Sequence, residues 1–379
     1  CQTCIGRAAP PAEEEMHAEN HQAILNRLSE LDQIEYDQIR KTEAKKLGIR
    51  ATTLDNEMAK LRGQKAVQET PFGSPVEPWP EPVDGVAHLD SIFETLKRFI
   101  AAKPEVLRAA TLWTSFTWFI EDVRVAPLAI ITSPEKRCGK TLLSTLMSRL
   151  CRDPLPASNI SPSALFRSIE KWKPTLILDE TDTFLKENED LRGLINSGHT
   201  QNTAFVIRCS GDNHEPTQFN TFGAKLLAGI GNLPETIMDR AVVLRLRRKK
   251  QDEKMERIRK TPDALFDELC RKQAHFSADH SKTIAESNPT IPENLNDREQ
   301  DNWESLLAIA DAVGGHWPET ARRAAVELSQ TEDDQSSIAI QLLSDIWQVF
   351  SEKDLESISS VDLIEALCAD EEGPWLTFK

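Results

Sequence analysis

A short apolar run, Leu128-Ala129-Ile130-Ile131-Thr132, is followed by a turn, Ser133 to Gly139, and then by Lys140-Thr141-Leu142-Leu143. A run this short and this apolar reads as a strand buried on both faces, which requires a parallel sheet covered by helices. Leu142, Leu143, Leu146, Met147 and Leu150 then recur at helical spacing and read as an amphipathic helix. Strand, loop and a helix opening on Gly-Lys-Thr is the layout in which backbone N–H groups and a helix N-terminus cradle phosphates.

In such a loop the candidate nucleotide contacts are Ser133, Pro134, Glu135, Lys136, Arg137, Cys138, Gly139, Lys140, Thr141 and Leu142. Lys140 would reach the β- and γ-phosphates, and the Thr141 hydroxyl would hold Mg²⁺. One position departs from the usual G-x-x-x-x-G-K-T pattern, since Pro134 stands where the first Gly is expected. Proline fixes φ and lacks an N–H, so the loop must be entered by a different turn. Cys138 reads as a small filler within the loop rather than a redox switch.

At 379 residues the chain has room for two or three domains and a sizeable core. Its net charge of −16 argues against a surface coated for nucleic acid, though not against a local basic site. Seven cysteines, mostly isolated among core-like residues, point to reduced thiols and a cytoplasmic location. No apolar run approaches the ~20 residues of a membrane span. The first residue is Cys1 rather than Met, and Gly373 to Lys379 carries no obvious terminal element, so the expectation is a fragment of a longer polypeptide.

Residues 1–21 hold Cys1, Cys4, His17 and His21 in the spacing C-x2-C-x12-H-x3-H, which matches a zinc-finger ligand pattern. The spacer lacks the aromatic and leucine that build the core of such a finger, so a join to something upstream is favoured over zinc. Residues 22–62 read as helical. Ala44-Lys45-Lys46-Leu47-Gly48-Ile49, then Thr52-Thr53-Leu54, suits a helix-turn-helix whose second helix starts at Thr52. Such a unit either binds DNA or packs a neighbour. Residues 63–88, with Pro71, Pro75, Pro78, Pro80 and Pro82, read as a semi-rigid linker.

An α/β nucleotide-binding core is expected over residues 89–250. Thr175-Leu176-Ile177-Leu178-Asp179-Glu180 is an apolar strand ending in two carboxylates. In an α/β sheet that position serves Mg²⁺ and the attacking water, with Asp179 on the metal and Glu180 as the base. A hairpin follows, with strands from Thr203 and from Thr217 around the turn residues Ser210 to His214. The strand from Ala224 to Ile230 ends at Gly231-Asn232, where Asn232 can orient the lytic water. Arg240, eight residues on, opens a last strand and is placed to enter a neighbouring subunit's site; its rival reading is an ion pair with Asp239.

Between Arg240 and Lys260 there are ten Lys/Arg against three Asp/Glu, the one concentrated basic stretch. It either faces nucleic acid or forms a solvated connector. Residues 251–379 read as a helical lid and the start of a further helical module. Arg322 is chosen over Arg323 as the lid arginine returning to the γ-phosphate, and Cys270, His275 and His280 are assigned no metal.

The order of phosphate loop, acidic strand end, hairpin, Asn-ended strand, arginine and helical lid resembles the AAA+ ATPases. The hairpin looks like that of the superfamily-three helicase group. Ser133 to Thr141, Leu178 to Asp182, Gly229 to Arg240 and Leu307 to Arg322 are similar to an ATPase domain of unknown function carried by phages, plasmids and integrated elements, often beside primase modules. The resemblance implies an AAA+ P-loop fold, with a parallel sheet flanked by helices, an all-α lid and a small helical N-terminal domain. It also implies a homo-oligomeric, usually six-membered ring that binds ATP and Mg²⁺ between subunits, with a possible primase partner. Its hairpins would line a channel for single-stranded or melted duplex DNA, with Arg208, Asn213, His214 and Lys225 as the DNA contacts. The activity so implied is that of a replicative helicase or origin-melting factor of a mobile element. The alternative is an ATP-switched oligomeric regulator or defence ATPase without unwinding.

Overall fold

The computed structural model describes residues 24, 25, 27, 28, 31, 33–51, 53–55, 58, 71, 72, 74–157, 160–181, 185, 188–210, 214–231, 233–250, 252–352, 357–369 and 375. The chain divides into two compact units, Cys1–Gly73 and Ser74–Lys379. The first unit has its own small core of Leu28, Tyr36, Ala44, Leu54 and Met58. Helix α1 (Gln33–Lys46) ends where Gly48 turns into the left-handed region at φ 69°, and the Ile49 N–H returns to the Ala44 carbonyl at 3.0 Å. Residues 51 and 53–55 are again helical. Asp55 there accepts from Tyr36 Oη at 2.9 Å and from Arg40 Nη1 at 2.6 Å.

In the second unit, α2 (Gly85–Phe99) and α3 (Pro104–Phe116) lead into β1 (Leu128–Thr132) and α4 (Lys140–Leu150). Then come β2 (Pro154–Ala157), α5 (Pro162–Trp172), β3 (Thr175–Leu178) and α6 (Glu189–Ser197). The hairpin is β4 (Phe205–Ser210) with β5 (Glu215–Asn220), followed by β6 (Lys225–Ala228), α7 (Glu235–Met238) and β7 (Ala241–Arg245). Helices α8 (Asp263–Ala285), α9 (Asp297–Val313), α10 (Trp317–Glu352) and α11 (Ser360–Cys368) complete it. The expected α/β class therefore holds, with a parallel sheet followed by a helical region.

The sheet runs β2-β3-β6-β1-β7, every neighbouring pair parallel. Its inner strands β1, β3 and β6 are covered on both faces, which is why they read as apolar runs rather than as alternation. Leu128, Ile130, Leu176, Leu178 and Leu227 meet α5, α6 and α7 on one side. Ala129, Ile131, Ile177, Leu226, Ala228, Val242 and Leu244 meet α2, α3, α4 and the C-terminal helices on the other. Each such Leu or Ile contributes ~1.5–3 kcal/mol on burial, so both layers are held firmly to the strands. Polar anchors fix the positions: Trp113 Nε1 donates to the Pro127 carbonyl and Trp118 Nε1 to that of Leu150, both at 2.9 Å.

Two elements bracket the α/β layer. β2 carries Pro154 and Pro156, which a sheet tolerates because β2 is an edge strand. The hairpin is a separate two-stranded sheet, joined to the body by Phe219 against Phe166 with ring centroids 4.6 Å apart.

Candidate phosphate-binding site

In an open parallel sheet, ligands bind beyond the carboxyl ends of the strands where the connections diverge to opposite sides. Here β1 leads by α4 to β2 on one side, while its neighbour β6 leads by α7 across β1 to β7. The divergence lies between β1 and β6. The loop after β1 is the Lys140 loop, and the loop after β6 is the one containing Gly231. One strand further lies the Asp179 end of β3, so the lysine loop and the acidic pair stand ~10 Å apart across β6, given about 4.8 Å per strand.

The edge is stitched together by short bonds. Gly229 N donates to Ile131 O and Gly231 N to Ser133 O, each at 3.1 Å, and Thr132 Oγ1 donates to Gly231 O at 2.5 Å. Buried Thr181 donates to Ala228 O at 3.0 Å and so ties the acidic end to the same loop. Left-handed backbone concentrates here: Arg137 at φ 69°, Gly139 at 89°, Glu180 at 55° and Gly231 at 72°. For Arg137 and Glu180 that conformation costs roughly 1–2 kcal/mol each, a pattern typical of functional sites.

Gly139 caps α4 without a side-chain hydrogen bond, leaving the first-turn N–H groups pointing into the loop. A Cβ there would lie 3.8 Å from Ile100, so it is the positive φ and not lack of space that selects glycine. Lys140 Nζ donates to Ser133 Oγ at 2.7 Å and to the Glu135 carbonyl at 3.2 Å, and Ser133 Oγ donates to the same carbonyl at 2.7 Å. Pro134, Glu135, Lys136 and Arg137 are exposed, while Cys138 is buried with its thiol toward the Lys136 carbonyl at 3.9 Å, as a filler would be. Leu142 is half-buried against the core and Thr141 is exposed at the helix start. Asp179 accepts from the Glu180 N–H at 2.8 Å through Oδ1, and Glu180 is exposed. A hydroxyl and a half-exposed carboxylate with a second oxygen are a donor set that fits Mg²⁺.

The remaining expected residues lie outside the described ones or away from this edge. Asn232 and Asn213 lie outside the described residues, as do Cys1, Cys4, His17 and His21. Among the described residues no group of three or more His, Cys, Asp or Glu could hold a metal. Arg240 sits at the opposite end of the sheet: its carbonyl accepts from Leu128 N at 2.9 Å, and Nη1 donates to Thr236 O at 2.7 Å. The expected rival pairing is not formed, for Asp239 faces Arg298 at 3.7 Å. Arg322 is committed within the helical region, bidentate to Asp311 at 2.7 and 2.8 Å and donating to the carbonyls of Thr290 and Pro318.

The hairpin corrects one expectation outright. Lys225 is 1% exposed and donates to the carbonyls of Thr221 and Gly223, both at 2.9 Å. Burial pushes its pKa down to about 7. It is an internal clasp and cannot meet DNA. Its place inside the run Ala224-Lys225-Leu226-Leu227-Ala228 was the available signal, because a strand this apolar is covered on both faces. Arg208 lies 3.8 Å from Asp190 of α6, and His214 is exposed beside the turn at φ 52°. The hairpin's outer face instead presents Phe205 and Ile207, both exposed.

Fold and loop together give an α/β protein with a parallel five-stranded sheet, compatible with a phosphate-loop layout. A protein family of unknown function, DUF3631, matches residues 245–379, from the last residue of β7 to the end of the chain, which leaves the lysine loop and acidic strand outside the match. A similar protein is an uncharacterized 28.9 kDa protein in the xis 5′ region of Saccharopolyspora erythraea. It is 35% identical over 112 residues, or 29% of this chain and 41% of the relative, so the match spans about two fifths of that relative's length. No described helix is long and apolar enough to cross a membrane.

Proposed function

We propose that this chain is an ATP-hydrolysing motor of AAA+ type that acts on DNA as an oligomeric ring, in the manner of a replicative helicase or origin-melting factor. The observation that carries the proposal is the strand order, which sets the Lys140 loop and the Asp179–Glu180 end on either side of one intervening strand at the divergence point. Lys140 and the first-turn N–H groups of α4 would neutralise the β- and γ-phosphates. Thr141 and Asp179 would hold Mg²⁺, which offsets the charge that develops on the transferred phosphoryl group. Glu180, exposed at the end of β3, would take the proton of the attacking water. Asn232 would orient that water.

Arg240 lies a strand's length from the loop of its own chain, ~16 Å for the five residues of β7, too far to serve that loop in cis, and in this reading it serves a neighbour's phosphates. That requirement makes the ring part of the catalytic unit. The alternative is an ATP-switched oligomeric assembly without unwinding, favoured by the apolar outer face of the hairpin at Phe205 and Ile207. Steady-state ATPase with and without single-stranded DNA, with sizing in parallel, separates them. A rate raised severalfold by DNA supports the motor. Hydrolysis indifferent to DNA but coupled to assembly supports the switch, and absent ATP binding overturns both.

A further inference from the structure

The segment joining β7 to α8 is the most basic part of the chain, and its start is built into the phosphate-loop edge. Leu246 N donates to Thr132 O at 2.8 Å, so the segment leaves the sheet directly beside the lysine loop. Further on, Glu256 N donates to Arg98 O at 2.9 Å, and Arg98 grips the Glu256 carboxylate at 2.9 and 2.7 Å. The strap is thereby pinned at both ends, to β1 and to the C-terminus of α2.

Two of its three acids are consumed internally, while Asp252 is exposed. Glu253 takes Arg247 at 2.9 and 2.5 Å and the Lys250 N–H at 2.7 Å, and Glu256 takes Arg98. Arg248, Lys249, Lys250, Lys254 and Arg257 are exposed and make no side-chain ion pair among the described residues. Of the segment's apolar residues, Leu246 is buried, Ile258 packs on the core and Met255 is half-buried. What faces outward is therefore chiefly positive charge, with Asp252 the one exposed acid against it and no large apolar side chain exposed among the strap's described residues.

We infer that this strap binds the phosphodiester backbone of a nucleic-acid strand, without reading its sequence, at the rim of the phosphate site. Protein partners are held chiefly by buried apolar anchors, which the strap does not offer, whereas a phosphate backbone is bound by charge and counterion release alone. In a chain of net charge −16 this is where a polyanion can approach. The inference moves the strand contact away from the hairpin, where Lys225 is buried and Arg208 has Asp190 3.8 Å away. It rests on the motor reading only for its coupling to hydrolysis.

The test is anisotropy of a labelled oligodeoxythymidylate with the full chain over a range of NaCl, comparing wild type with the combined variant Arg248→Ala, Lys249→Ala, Lys250→Ala. Affinity should fall at least about tenfold at low salt, and the log–log salt slope should shrink by about 2, at ~0.7 per lost phosphate contact on a single strand. Binding of a non-hydrolysable ATP analogue, measured on the same preparations, should not change. Wild type that binds the analogue but not the oligonucleotide overturns this inference and leaves the phosphate site standing; wild type that binds neither overturns both. An unchanged affinity in the strap variant, beside a loss in Arg208→Ala, His214→Ala, returns the strand to the hairpin. Polyglutamate bound as tightly as an oligonucleotide of equal charge would make the partner an acidic polypeptide.

Discussion

Lys140 and Ser133 are joined by a 2.7 Å hydrogen bond from the lysine ammonium to the serine hydroxyl, and that hydroxyl in turn donates a hydrogen bond to the Glu135 carbonyl at 2.7 Å. The serine, 2% exposed, therefore fixes both the lysine and the turn that Pro134 forces on the loop. Ser133→Ala removes one partner of a charged donor, an interaction worth about 1.5–3 kcal/mol. ATP affinity by calorimetry should fall roughly tenfold or more, with Ser133→Thr restoring much of it. Equal affinity in wild type and Ser133→Ala would mean that Lys140 is positioned without the serine.

Glu180 holds φ 55° at the end of β3, a conformation glycine adopts freely. Glu180→Gly should leave stability unchanged or raise it, by about 0.5 kcal/mol once the added chain entropy of glycine is set against the relieved strain. It should also abolish hydrolysis. Glu180→Gln, which keeps the side-chain shape, should bind ATP and stall with the assembly intact. Denaturant midpoints and ATPase rates on both variants check this; loss of ATP binding in Glu180→Gln would show that the residue serves binding and not proton transfer.

How far the sequence reached is visible element by element. The apolar run at Leu128–Thr132 became β1 with the expected limits, because a strand buried on both faces leaves no ambiguity of period. The acidic end at Asp179 and the hairpin were likewise legible from apolar runs closed by turn residues. β2 was not, since two prolines in four residues argue against a strand and only the sheet reveals an edge position that spares their missing N–H groups. Lys225 failed because the resemblance placed it in a channel hairpin, whereas the carbonyls of Thr221 and Gly223, brought close in space, make an internal clasp for it. Strand order decided the rest. Nothing local announces that β6 lies between β1 and β3, yet that order builds the candidate site.

Lys225 gives the fold a pH dependence of determined sign. Burial lowers its folded-state pKa from 10.5 to about 7. Between about pH 7 and 10 the unfolded chain holds a proton that the folded one has released, so the unfolded state binds more protons and this residue's contribution to stability rises with pH. Gly198 closes the clasp, since a Cβ there would stand 2.2 Å from Lys225 Nζ. Urea midpoints of wild type should therefore climb across that window relative to Lys225→Met, which has no titrating group. Parallel pH profiles for the two proteins would place the proton elsewhere.

Arg240 and the lysine loop occupy opposite ends of one sheet, and that separation permits a test of the ring. Arg240→Ala and Lys140→Ala should each be inactive alone, the first through loss of an arginine worth ~10³–10⁵ in rate where it acts in trans, the second through loss of the phosphate contact. In a mixed assembly some interfaces pair an intact loop from one subunit with an intact Arg240 from the next. Mixing the two inactive proteins should therefore restore part of the ATPase, greatest near equal amounts. An arginine that merely braces α7 through the Thr236 carbonyl would give no such recovery, because each defect would stay confined to its own chain. No recovery at any ratio, with mixed assembly verified by a size-tagged subunit, would exclude Arg240 from a neighbour's site.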